Sequence, residues 1–169
     1  LLGGKVLIDG QPIHRPMARD QRVAYIAENP SQMMLFQDMS YLRNLTFCLP
    51  RQIDSWFRRR SIYRSLRREL TPELGAVFDK DIRDLNAQEK YALIFRRVLL
   101  QQPRVVFFEQ PFWGNDVLLQ QHIERQVQLL LAKKIAVVVL IVGIYDAFPL
   151  AERTLIYKNG HLLTQEGNG

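Results

Sequence analysis

Apolar positions repeat at two spacings along this chain, and the changes between them divide it into strands and helices. Lys5-Val6-Leu7-Ile8 and Gln11-Pro12-Ile13 flank Asp9-Gly10, a pair that favours a two-residue hairpin turn. Val23-Ala24-Tyr25-Ile26 is another short strand. From Ile53 the period lengthens: Trp56, Phe57, Tyr63, Leu66 and Leu70 recur at helical spacing, with arginines mostly between them, and predict an amphipathic helix. Thr71-Pro72 and Gly75 are expected to break it. A second helix is predicted from about Ala87 to Leu100, where Leu93, Ile94, Arg97 and Val98 stack at three- and four-residue steps and Pro103 ends the pattern. Val105 to Phe108 is a continuous apolar strand, Val117 to Leu131 a helix, and Ile135 to Val142 a second continuous apolar strand. Strand, helix, strand in that order imply a βαβ unit with a buried parallel sheet, hence the α/β class. Asn159-Gly160, inside Thr154 to Leu163, predicts a second hairpin.

Composition narrows the setting. With 169 residues, 47% hydrophobic and 24% charged, the chain has enough apolar material for one core, and a single domain over 1–169 is expected. The lone Cys48 cannot form an internal disulfide, and His14, His122 and His161 are too scattered for metal-ligand spacing, so a reducing cytosolic compartment is expected. The longest apolar stretch, Ile135 to Tyr145, is interrupted by Gly143 and falls short of the roughly 20 residues that span a bilayer. Leu1-Leu2-Gly3-Gly4-Lys5 has neither an initiating Met nor a charged leader, and reads as a chain entered midway. The net charge of +6 is concentrated. Arg51, Arg58, Arg59, Arg60, Arg64, Arg67 and Arg68 against Asp54 account for all of it, which leaves the remainder neutral.

The chemistry-bearing block is Leu85 to Trp113. Phe107-Phe108-Glu109-Gln110-Pro111 places an acid at a strand's carboxyl end, where open α/β folds bind ligands. Leu85-Asn86-Ala87-Gln88-Glu89-Lys90 opens a helix, Arg97 follows inside it, and Pro103 ends it. In order and spacing this resembles the ABC-transporter ATPases, whose L-S-G-G-Q opens a helix that leads to an apolar strand and D-E-P-T. Other segments agree in order. Gly4-Lys5-Val6-Leu7-Ile8-Asp9-Gly10 is similar to the family's G-x-I-x-x-D-G hairpin, and Ala24-Tyr25-Ile26-Ala27-Glu28 to its strand and Q-loop. Met39 to Leu45 is similar to T-V-x-E-N-L, and Ala151-Glu152-Arg153 up to Asn159-Gly160 to A-D-R-I with its trailing glycine. The resemblance covers nearly the whole chain. Glu28 in place of Gln, and no His after the last buried strand, look most like the second half of the tandem ATPases that serve monosaccharide importers.

The resemblance implies an ABC ATPase-like, P-loop NTPase-type α/β fold with a parallel core sheet, N-terminal antiparallel hairpins and a helical subdomain that includes residues 50–84. It also implies an ATP-binding subunit of a transporter, peripheral on the cytoplasmic face of the membrane through permease subunits and paired with a second ATPase domain in cis or trans.

Several positions depart from the family's chemistry. The sequence contains no G-x-x-x-x-G-K-S/T, and Gly3-Gly4-Lys5-Val6 lacks the hydroxyl and the following helix that a phosphate loop requires. ATP and Mg²⁺ are therefore expected only with a partner domain or an upstream segment. Glu109 stands at the Walker B acid, where it would order Mg²⁺ through water. Gln110 stands at the catalytic Glu and cannot accept a proton. Gly143 stands where the family's switch His contacts the γ-phosphate. For Asn86-Ala87-Gln88-Glu89 two readings stay open: a γ-phosphate contact to ATP on the partner, or a capping box that satisfies only its own helix. Asp116, in the D-loop segment Trp113-Gly114-Asn115-Asp116, either touches the opposite subunit or, like Asn115, caps the next helix. Glu28 holds the coupling position of the Q-loop.

Together these departures predict a structural or regulatory importer domain, for carbohydrate, whose own half-site does not hydrolyse ATP. An active ATPase with sites shared between domains is a further reading. From another class, the arginine-rich helix makes the chain a non-catalytic binding module for protein or nucleic acid. No aromatic platform interleaves with the arginines, so nucleic acid is not the expected partner.

Overall fold

The computed structural model describes residues 5–13, 20–47, 56–112, 114–143 and 150–165. Gly3-Gly4, His14, Cys48, Arg51, Asp54, Trp113 and Tyr145, which entered the sequence argument, lie outside the described residues.

Three strands form a parallel sheet: β3 (Val23–Ile26), β4 (Val105–Glu109) and β5 (Ala136–Leu140), in the order β3-β4-β5. The βαβ expectation holds, with α5 (Val117–Ala132) as the crossover between β4 and β5. Ahead of the sheet the Asp9-Gly10 turn joins β1 (Leu7–Ile8) to β2 (Gln11–Pro12). Near the end Asn159-Gly160 joins β6 (Thr154–Lys158) to β7 (His161–Gln165). All four turn residues have positive φ, as a two-residue primed turn demands.

The alternation along the strands separates two faces. Ala24, Ile26, Val106 and Phe108 are buried against α4 (Ala87–Gln101) and α5, where Phe95 meets Phe108 edge-on at 5.7 Å between ring centroids. The opposite face carries Tyr25 from β3, Phe107 from β4, and Val138 and Leu140 from β5. Of these Tyr25 is 48% exposed, Val138 38% and Leu140 45%. Both faces are thus apolar, as in sheets built for coverage on both sides, and one is open among the described residues.

Between β3 and α4 the chain makes α1 (Pro30–Met33), α2 (Tyr41–Thr46), α3 (Trp56–Leu74) and two 3₁₀ turns, Gly75–Asp79 and Ile82–Asp84. Contrary to the sequence expectation, α3 runs through Thr71 and Pro72. Pro72 falls in the final turn at an exposed position: it removes the donor for the carbonyl four residues back, and the helix ends two residues later. The helix stops at Gly75, whose φ of 43° leaves the helical region. Ser40 caps α2, accepting from the Arg43 N–H. Asn44, fully buried, holds the preceding loop: its Oδ1 accepts from the Phe36 N–H at 2.8 Å, and its Nδ2 reaches the carbonyls of Phe36, Met39 and Ser40 at 2.9, 3.2 and 3.3 Å. No helix among the described residues is long and apolar enough to cross a membrane.

Candidate functional site

Because β3, β4 and β5 are parallel, their carboxyl ends share one edge of the sheet. Glu109 is the last residue of β4, opposite Leu140. Gln110 follows with φ 46°, an unusual conformation for a side chain-bearing residue, held by its N–H donating to the Leu140 carbonyl at 2.8 Å. Glu28 stands two residues beyond the end of β3, and Gly143 three beyond the end of β5. The sheet therefore gathers Glu28, Glu109, Gln110 and Gly143 at one edge.

The partner that sequence reasoning missed is Tyr25, whose hydroxyl donates to Glu109 Oε2. Its phenol is held above the ordinary tyrosine value, first by that hydrogen bond, then by partial burial and by the charges of Glu109 and Glu28. Period-two alternation along Val23 to Ile26 puts Tyr25 on the open face. Only the cross-strand register, Tyr25 opposite Phe107, shows that it reaches Glu109.

The segment after β3 is tied to α4. Arg97, buried in the core, donates from its guanidinium to the Met34 carbonyl at the end of α1, and Arg96 donates to the Tyr41 hydroxyl at 3.1 Å. Sequence spacing placed Arg97 on the apolar stripe of α4 but gave it no partner, since that partner lies 63 residues away.

Asn86-Ala87-Gln88-Glu89 sits on a different element, the start of α4. Here the capping box forms: Asn86 Oδ1 accepts from the Glu89 N–H, and Glu89 Oε2 from the Asn86 N–H, both at 2.9 Å. The other Glu89 oxygen meets Lys80 at 3.3 Å. Asp116 likewise caps α5, accepting from the Leu119 N–H at 2.8 Å. Asn115 secures that loop through Nδ2, bonding the Pro111 carbonyl at 2.9 Å and the buried Tyr91 hydroxyl at 3.3 Å. Burial raises the Tyr91 phenol, and the bond from Asn115 partly opposes the rise.

These groups fit ATP and Mg²⁺ poorly. Two of the free N–H groups at the start of α4, which an anion would bind, are already satisfied, and Glu89 sets a carboxylate beside them. Glu109 offers one carboxylate with one oxygen engaged by Tyr25. Among the described residues no three of His, Cys, Asp and Glu gather to hold a metal. Gln110 supplies an amide, which neither takes nor gives a proton near neutral pH. Gly143 has φ 118°, so a histidine restored there would be strained.

No protein-family model matches the chain. It is 25% identical to a "putative ribose/galactose/methyl galactoside import ATP-binding protein" of Pseudomonas fluorescens, over 95% of this chain and 33% of that protein. It is 28% identical to the "molybdenum import ATP-binding protein ModC" of Mycobacterium tuberculosis, over 94% of this chain and 43% of that one. The chain thus spans less than half the length of these relatives. Among solved structures it is similar to CbiO1 of Clostridium perfringens, described as part of the ABC transporter complex CbiONQ, with a TM-score of 0.68 at 19% identity, covering 95% of this chain and 64% of that one. That likeness shows an ABC ATPase-type fold, and the sequence similarity to import ATP-binding proteins runs along almost the whole chain.

Proposed function

We infer that this chain serves an ABC importer as a nucleotide-binding-type domain whose own half-site does not hydrolyse ATP, acting as a structural or regulatory partner to a second ATPase domain. The carrying observation is the end of β4, where Glu109 is bonded to Tyr25 and the next position is Gln110. General-base activation of water by a carboxylate at that next position is unavailable. Both helix starts that could face nucleotide across an interface are occupied by their own caps, Asn86 with Glu89 and Asp116. Permease subunits are the membrane partners in this reading, which places the domain on the cytoplasmic face. A sugar is the proposed solute. Glu28 and Gly143 support it as the departures shared with monosaccharide-importer halves, as does a relative named for ribose and galactose import, although another is named for molybdenum.

The test is ATP turnover by the assembled parent transporter with Gln110→Ala and Gln110→Glu. Turnover unchanged by Gln110→Ala is expected. A loss of tenfold or more would overturn the reading. Solute choice is tested by uptake of labelled ribose, galactose and molybdate in cells with and without the chain, and uptake of molybdate alone would refute the sugar assignment.

A further inference from the structure

Helix α3 carries the one concentration of charge in the sequence, and the role proposed above makes no use of it. At 100° per residue, Arg60, Arg64, Arg67 and Arg68 occupy positions i, i+4, i+7 and i+8, a single stripe about 12 Å long. All four are exposed. Tyr63, Leu66 and Leu70 form a separate, half-buried stripe, and α3 packs against α2 and the 3₁₀ turn 75–79. Arg67 pairs with Asp79 at 2.7 Å on the surface, with both side chains more than half exposed, so this pair is readily exchanged for another anion.

We propose that the arginine stripe of α3 is a binding surface for the anionic headgroups of a phospholipid bilayer. Two features of the helix favour a membrane surface over a macromolecular partner of defined shape. The exposed positions of α3 carry arginines, serines, Glu69 and Pro72 but, among its described side chains, no large apolar residue to anchor a protein interface. Its one described aromatic side chain, Tyr63, is half-buried on the other stripe and offers no base-stacking platform for RNA. A plane of phosphates needs neither an anchor nor a platform, only several cations presented together. With four of the chain's six net positive charges on α3, six arginines against Glu69 and Glu73, the charge asymmetry also orients the domain, turning α3 toward the bilayer.

The inference goes beyond the importer role and its test requires neither ATP nor a permease. The full chain is floated with vesicles of phosphatidylcholine alone, or containing about a quarter phosphatidylglycerol, at low salt and at about 0.5 M salt. Binding to the anionic vesicles only, weakened by salt, is expected. Each arginine contributes roughly fivefold in partitioning, so Arg64→Gln with Arg68→Gln lowers it about 25-fold. Arg64→Lys with Arg68→Lys retains binding, and Arg125→Gln, outside the stripe, leaves it unchanged. Unchanged circular dichroism shows that the double variant is folded. Equal flotation with neutral vesicles, no flotation with anionic ones, undiminished binding by the folded double Gln variant, or tighter association with polyglutamate or single-stranded RNA would each overturn the proposal.

Discussion

Replacing Asn44 by Ala tests whether a single amide organises the loop between α1 and α2. The side chain is fully buried and bonds both backbone groups of Phe36, with further contacts to the Met39 and Ser40 carbonyls. Truncation leaves the Phe36 N–H and its carbonyl without these partners, each worth about 1 to 2 kcal/mol once the penalty for a partly buried unsatisfied group is included, so a loss of about 2 to 4 kcal/mol is expected. With a urea m-value of about 2 kcal/mol/M, the midpoint followed by circular dichroism falls by about 1 to 2 M. Asn44→Asp sharpens the test. It keeps the acceptor for the Phe36 N–H but turns a carboxylate toward three carbonyl oxygens, so at pH 8 it is less stable than Asn44→Ala. Burial raises the folded pKa of the introduced carboxyl. Its protonated form can donate, so the stability that form provides is fully present below the unfolded pKa and lost as pH rises through the folded one. The gap between the two variants therefore narrows on acidification. A midpoint shift under about 0.5 M for Asn44→Ala, or an Asp variant as stable as the Ala variant at pH 8, would refute the reasoning.

Three further outcomes are expected. Asn86→Ala destabilises by about 1 kcal/mol in urea unfolding, and a double-mutant cycle with Glu89→Ala shows coupling, whereas independent effects would argue against a working capping box. Glu109→Gln returns the Tyr25 phenol toward its ordinary value in a tyrosine titration, with Tyr25→Phe identifying the signal; because the folded phenol is raised, the bond's contribution is intact below the ordinary value of about 10 and lost as pH climbs through the folded one. His122 is held below the ordinary histidine value by burial first and then by Arg125 and Arg96, so its neutral form fits the fold. Stability contributed by that form is present above the unfolded pKa and declines as pH falls toward the folded one, and His122→Leu flattens this acid-side slope in unfolding midpoints measured from pH 7 to 5. An unaltered slope would rule His122 out as its source.

What could be read from the sequence was chemistry that acts over a few residues. Asp9-Gly10 and Asn159-Gly160 set their turns by their own backbone preferences, and the Asn86–Glu89 box spans a single helical turn. The apolar runs of β4 and β5 identified a parallel pair, although one face of that pair is open among the described residues. At the candidate site, spacing within the block Leu85 to Trp113 singled out Glu109 and Gln110, the place after the last apolar strand singled out Gly143, and the parallel sheet accounts for their shared edge. Tyr25 escaped because its bond to Glu109 depends on strand register across 84 residues. Arg97 was placed on the apolar stripe of α4, but its partner escaped because the Met34 carbonyl it serves lies 63 residues away. For Pro72 the propensity rule was right in kind but misplaced in position, since the helix ends two residues past the proline rather than at it.

The sheet also bears on how the chain behaves when made by itself. In the order β3-β4-β5, β5 is an edge among the described residues, and Ala136-Val137-Val138-Val139-Leu140 is a five-residue apolar segment of high β-propensity with no charge and no proline. Such a strand is a template for pairing with another copy, and Val138 and Leu140 add stickiness on the open face. Lys133 and Lys134, exposed just upstream of Ile135 and the strand, set like charges beside one another when two copies align in register, as gatekeeper residues do. Two lysines outside the candidate site thus set charge beside the one described sheet edge most prone to self-pairing.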